Sequence, residues 1–62
     1  MNDEPLYFQF YLNITKTAPM KESEAKEFLK YYPHIRSWKV RIFDDGEVIS
    51  ENNKPEDIWN LT

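Results

Sequence analysis

The sequence predicts an α+β fold: a small domain of β-α-β-β order, with a three-stranded sheet, one helix packed on one face and a short C-terminal helical turn. Three observations carry this expectation. From Leu6 to Thr15, apolar and polar residues alternate five times over, in residue types that favour strands. Between Ala25 and Tyr32, apolar residues recur at helical spacing. Asp45-Gly46, which holds the one glycine of the chain, separates two further runs of β character.

The first strand is expected to run from Leu6 to about Thr15 or Lys16. Pro5 lacks an amide donor and suits a strand's first position. Leu6, Phe8, Phe10, Leu12 and Ile14 share one face; Tyr7, Gln9, Tyr11, Asn13 and Thr15 share the other. Residues 1–4 are polar and expected to be disordered. After a turn through Lys16 to Met20, a helix is expected from about Pro19 to Tyr32, with Thr17 as N-cap and Pro19 in the first turn. Ala25, Phe28, Leu29 and Tyr32 form its apolar stripe, and Glu22→Lys26 and Glu27→Lys30 its charge pairs. Pro33 stops it by disfavouring helical geometry in the residue before.

The second strand is expected over Ser37 to Asp44. Trp38, Val40 and Ile42 point one way, and Lys39, Arg41 and Phe43 the other. Asp45-Gly46 supplies the positive φ angles of a type I′ turn, which sets Ile42 opposite Ile49 and Phe43 opposite Val48 in a third strand from Glu47 to about Asn52. Pro55 to Trp59 reads as one helical turn, with Ile58, Trp59 and Leu61 as an apolar latch. The helix is expected to make a right-handed crossover between the first two strands. Two sheet orders satisfy this pattern. The third strand inserted between the others gives an antiparallel sheet that resembles half of a ferredoxin-like unit, a likeness of layout that implies no activity. A central second strand gives a mixed sheet. The apolar second strand favours the second order, but the general preference for antiparallel pairing favours the first, which is the order expected.

The chain of 62 residues allows one domain and only a small core. It has no cysteine and one histidine, which removes disulfides, thiolate metal sites and a histidine cluster. Aromatic residues make up 16% of it, enough for large rings to supply most of the core. A net charge of −3 argues against a non-specific grip on nucleic acid. The acidic N-terminus is unlike a signal peptide, no apolar run approaches a membrane span, and a cytoplasmic protein without membrane contact is expected. Asn13-Ile14-Thr15 and Asn60-Leu61-Thr62 match the glycosylation sequon by chance on this reading.

No catalytic, cofactor-binding or metal-ligating constellation is legible. His34 stands alone in a Pro-His-Ile link, and Asp44-Asp45-Gly46-Glu47 lacks the ligand spacing of a calcium loop. One glycine cannot build a phosphate-cradling loop. The informative feature is the first strand, which outruns its expected neighbours and so offers an edge, and whose polar face gathers large rings. Tyr7, Gln9, Tyr11, Lys39, Arg41 and Phe43, the expected contact residues, are expected to share one sheet face with Val48, in residue types enriched at protein interfaces. The expectation is a non-enzymatic protein-binding module: an inhibitor, adaptor or antitoxin-like partner of the kind phages and mobile elements encode. It would grip another protein or a second copy of itself through a sheet edge and this aromatic face. The alternative is a single-stranded nucleic-acid binder, with Tyr7 and Tyr11 stacking bases and Lys39 and Arg41 meeting phosphates. A further alternative is that the Ile58-Trp59 segment folds over part of this face, or that its tyrosines simply sit half-exposed as on an ordinary surface.

Overall fold

A computed structural model describes residues 5–59 of the chain. The expected fraying of residues 1–4, the Leu61 part of the latch and the second sequon lie outside the described residues. Within them the protein is a small α+β domain, an antiparallel sheet covered on one face by a helix.

Strand β1 spans Leu6–Leu12 and ends earlier than its periodicity suggests. Asn13 takes a φ of +57°, a left-handed conformation that asparagine tolerates and that turns the chain back on itself. The return leg runs along β1 in two short pieces, β2 (Thr15–Lys16) and β3 (Met20–Lys21). Leu12 pairs with Thr15 and Tyr11 with Lys16; Phe8 pairs with Met20 and Tyr7 with Lys21. Ile14, expected beneath the sheet, is instead 95% exposed in the turn. Thr17 is not a helix cap. Its amide donates to the Phe10 carbonyl at 2.9 Å and its hydroxyl accepts from the Phe10 amide at 3.2 Å, holding the return leg to β1 between the two short strands. Pro19 accordingly lies between β2 and β3 rather than in the helix.

Helix α1 is Glu22–Tyr31, shorter at its start than expected because Lys21 is still extended and paired. The Lys21 amide donates to the Glu24 carboxylate at 3.0 Å, which satisfies one orphan donor of the first turn. Ala25 and Leu29 are buried, Phe28 partly so, and Tyr32 is about half exposed just beyond the helix. Glu22 and Lys26 pair at 3.3 Å; Glu27 and Lys30 do not come within ion-pair distance. Pro33 opens a 3₁₀ turn, Pro33–Ser37, that drives Ile35 into the core, so the next strand starts at Lys39 rather than Ser37.

Strand β4 (Lys39–Asp44) pairs with β1 along its whole length, from Tyr11 opposite Lys39 to Leu6 opposite Asp44. Asp45 and Gly46, at φ +57° and +89°, form the expected two-residue turn into β5 (Glu47–Asn53). Phe43 faces Val48 as expected, but Ile42 faces Ser50, not Ile49, because an extra β5 residue bulges between them. A second irregularity follows before Asn53 meets Val40, and Asn52 takes a φ of +62° there. The last described element, α2 (Pro55–Ile58), delivers Trp59 to the core as a latch.

The strand order is therefore β2-β1-β4-β5, with β3 beside β1 as well, and every pair is antiparallel. This corrects the three-stranded sheet and the favoured order, in which the third long strand was inserted between the other two. The second long strand is central, as the apolar pattern favoured, yet no mixed sheet results. The reason is the return leg. By the time α1 begins, the chain is back at the Tyr7 end of β1. The 10-residue helix, about 15 Å long, then carries it to the Tyr11 end, where β4 can only run down antiparallel. A chain that reverses three times between two neighbouring strands, into the return leg, into the helix and into β4, leaves them antiparallel and needs no parallel crossover.

Candidate sheet-face interface

The pleat decides which side chains can form a site. Phe8 and Phe10 point to the helix side, with Val40 opposite Phe10 and Ile42 opposite Phe8. Trp59 packs there too, its ring centroid 5.0 Å from that of Phe8 and 6.1 Å from that of Phe10. Ile58 and Trp59 thus sit under the sheet. They do not roof the tyrosine face, and the expectation that they might is overturned.

The opposite face is built from three rows that run across the strands, because directly opposed residues in antiparallel pairs share a face. The first row is Lys21, Tyr7, Phe43 and Val48, drawn from β3, β1, β4 and β5. Tyr7 is 36% exposed, Val48 is 46% exposed and Phe43 is partly exposed. The middle row is polar. Gln9 is only 7% exposed, yet both ends of its amide are engaged: Nε2 donates to the Thr17 carbonyl at 2.8 Å, and Oε1 accepts from Arg41 Nη1 at 2.9 Å. Arg41 also lies 4.4 Å above the Tyr11 ring and 3.8 Å from the Glu51 carboxylate. The third row is Lys16, Tyr11 and Lys39. Tyr11 reaches across β4 to β5, where its hydroxyl accepts from the Asn52 amide at 2.8 Å and donates to Asn52 Oδ1 at 3.1 Å.

All six residues singled out in the sequence fall on this one face, and they divide into two groups. Tyr7 and Phe43 present apolar surface outward, and Lys39 is exposed. Gln9, Tyr11 and Arg41 form an internal network that ties three strands together and clamps the left-handed Asn52. Val48, expected on this face from the turn register, is there too. Sequence reasoning missed Lys16 and Lys21, because they enter only through the return leg beside β1. The expectation that β1 leaves an unpaired edge is corrected: β4 flanks it on one side and β2, β3 and Thr17 on the other. The outer side of β5 is a free edge among the described residues, and its two irregularities, with Glu47 and Glu51, blunt it against strand addition.

Elsewhere, His34 stands edge-on to the rings of Tyr32 and Trp38, at 6.3 and 6.0 Å. Among the described residues no group of three or more His, Asp or Glu side chains is placed to hold a metal ion, and no helix is long and apolar enough to cross a membrane. Compared with known proteins, the chain matches no family model, no curated protein and no solved structure.

Proposed function

We propose that this chain is a non-catalytic protein-binding module that docks a partner protein on its open sheet face. The observation that carries the reading is the in-register row Tyr7–Phe43–Val48, two aromatic rings and an aliphatic side chain continuous across three strands on the face away from the helix. Such a row exposes apolar area that water solvates poorly, and its residue types are those of interface centres. The Gln9–Arg41–Tyr11 network beside it holds the platform in a fixed shape, which lowers the ordering cost of binding. Of the two routes expected from sequence, the face is favoured over the edge, since among the described residues the outer strands are the two-residue β2 and β3 on one side and the irregular, acidic β5 on the other.

The test is capture by the immobilised full chain from a lysate of the organism that encodes it. A protein retained by the wild type and by the Tyr31→Ser chain, lost from a Tyr7→Ser/Val48→Ser chain and indifferent to nuclease is the expected result. Tyr31 is an exposed aromatic on the helix side and controls for general stickiness. Retention of the same proteins by all three chains, or retention that vanishes with nuclease, overturns the proposal.

A further inference from the structure

Lys16 stands opposite Tyr11, Lys21 opposite Tyr7, Lys39 opposite Tyr11 on the other side, and Arg41 opposite Gln9. The open face therefore gathers four of the chain's eight lysines and arginines, although the chain as a whole carries a net charge of −3. Three of the four, Lys16, Lys21 and Lys39, are exposed, and none of the ion pairs formed among the described residues involves them. Of the acidic groups nearby, Glu51 is already paired with Arg41 and Glu24 accepts from the Lys21 amide. Asp44 and Glu47 oppose each other at the hairpin end, Asp45 is in the turn itself, and Glu51 sits on β5 and faces Arg41. The result is an apolar row with Lys21 at one end and, two rungs along the strands, a second row that begins and ends in lysine.

From this arrangement we infer that the partner is an acidic protein segment, with an apolar side chain that seats on Tyr7, Phe43 and Val48 and carboxylates that meet Lys16, Lys21 and Lys39. The inference rests on the protein-docking reading and adds the chemistry of the partner. A nucleic-acid strand fits the same face less well. Arg41 is already engaged by Gln9, Glu51 and the Tyr11 ring, so it is poorly free to meet a phosphate. The Tyr11 ring carries Arg41 on one side and its hydroxyl is held by Asn52, which leaves Tyr7 and Phe43 as stacking platforms. Val48, the third member of the apolar row, has no π-face to offer a base. A carboxylate-bearing segment with one apolar anchor uses the exposed apolar and lysine side chains of the face.

Selection of a displayed random peptide library on the full-length folded chain tests this. The expected result is enrichment of peptides that carry Asp and Glu around a Phe, Leu or Trp. Their affinity should fall about 3- to 100-fold on a Lys16→Gln/Lys21→Gln/Lys39→Gln chain, as expected for three exposed ion pairs. Loss of net positive charge at exposed sites leaves the fold intact, which urea denaturation of the triple variant checks. Enriched peptides that are neutral or basic, or that ignore the triple substitution, overturn the acidic-partner inference and leave the docking reading standing. Failure of the wild type to enrich any peptide over the Tyr7→Ser/Val48→Ser chain overturns the docking reading itself. Binding of a twelve-residue oligothymidylate with a steep loss of affinity on added salt assigns the face to nucleic acid and overturns both. Light scattering that shows a dimer, dispersed by the triple substitution, makes a second copy the occupant and overturns a separate acidic partner.

Discussion

Gly46 stands at a φ of +89° with nothing within 4 Å of where a Cβ would be, so a side chain there would meet no clash. Its cost is purely the left-handed backbone. Gly46→Ala should lower stability by about 1–2 kcal/mol, read as a lower midpoint of urea denaturation at an unchanged slope. Gln9 is the opposite kind of residue, nearly buried and engaged at both ends of its amide. Gln9→Met keeps the volume and removes the partners of the Thr17 carbonyl and of Arg41. A loss of about 1–3 kcal/mol is expected, toward the low end because Arg41 retains access to water. An unchanged midpoint in the same denaturation experiment would mean that the polar row contributes nothing to the platform's rigidity.

The element that reorganised the fold is the pair of short strands returning along β1. Its entry depends on Asn13 at φ +57°. Asn13→Val places a β-branched residue in that conformation and should cost about 1–2 kcal/mol, whereas Ile14→Ser, one residue on and fully solvated, should stay within about 0.5 kcal/mol of the wild type. Comparing the two by thermal denaturation separates turn geometry from hydrophobicity at adjacent positions. Helix α1 depends on tertiary contact more than on its own propensity. Ten residues are too few to be stable alone, and its buried face is little more than Ala25, Leu29 and part of Phe28.

At the scale of the whole molecule, the core is Phe8, Phe10, Ala25, Leu29, Ile35, Val40 and Trp59. Three rings lie at its centre, and the four tyrosines stay outside it, so the aromatic content divides between core and surface. A domain of 62 residues has a total stability of about 3–9 kcal/mol, while emptying the fully buried Phe10 site costs about 3–5 kcal/mol. Phe10→Ala should therefore leave a large unfolded fraction at 25 °C, visible as collapsed amide dispersion in NMR spectra. Removal of exposed apolar groups from the open face, as in Val48→Ser, should leave that dispersion intact.

Local chemistry was legible along the chain itself. The alternation through Phe8 and Phe10, the stripe through Ala25 and Leu29, the Asp45-Gly46 turn and the Pro55 start of the last helical turn each depend on residues close in sequence, and each lies close to where the pattern places it. The co-facial set Tyr7, Gln9, Tyr11, Lys39, Arg41 and Phe43 followed from period-two geometry alone. What the amino-acid order could not disclose was the doubling back after Leu12. Periodicity continues through Asn13 and Ile14 whether or not the backbone turns, and the choice was made by long-range pairing of Thr17 with Phe10 and of Met20 with Phe8. That pairing set the direction of β4, closed the edge of β1 and brought Lys16 and Lys21 to the tyrosines. Register, edge and surface charge depend on which distant segments meet, and only the folded sheet decides that.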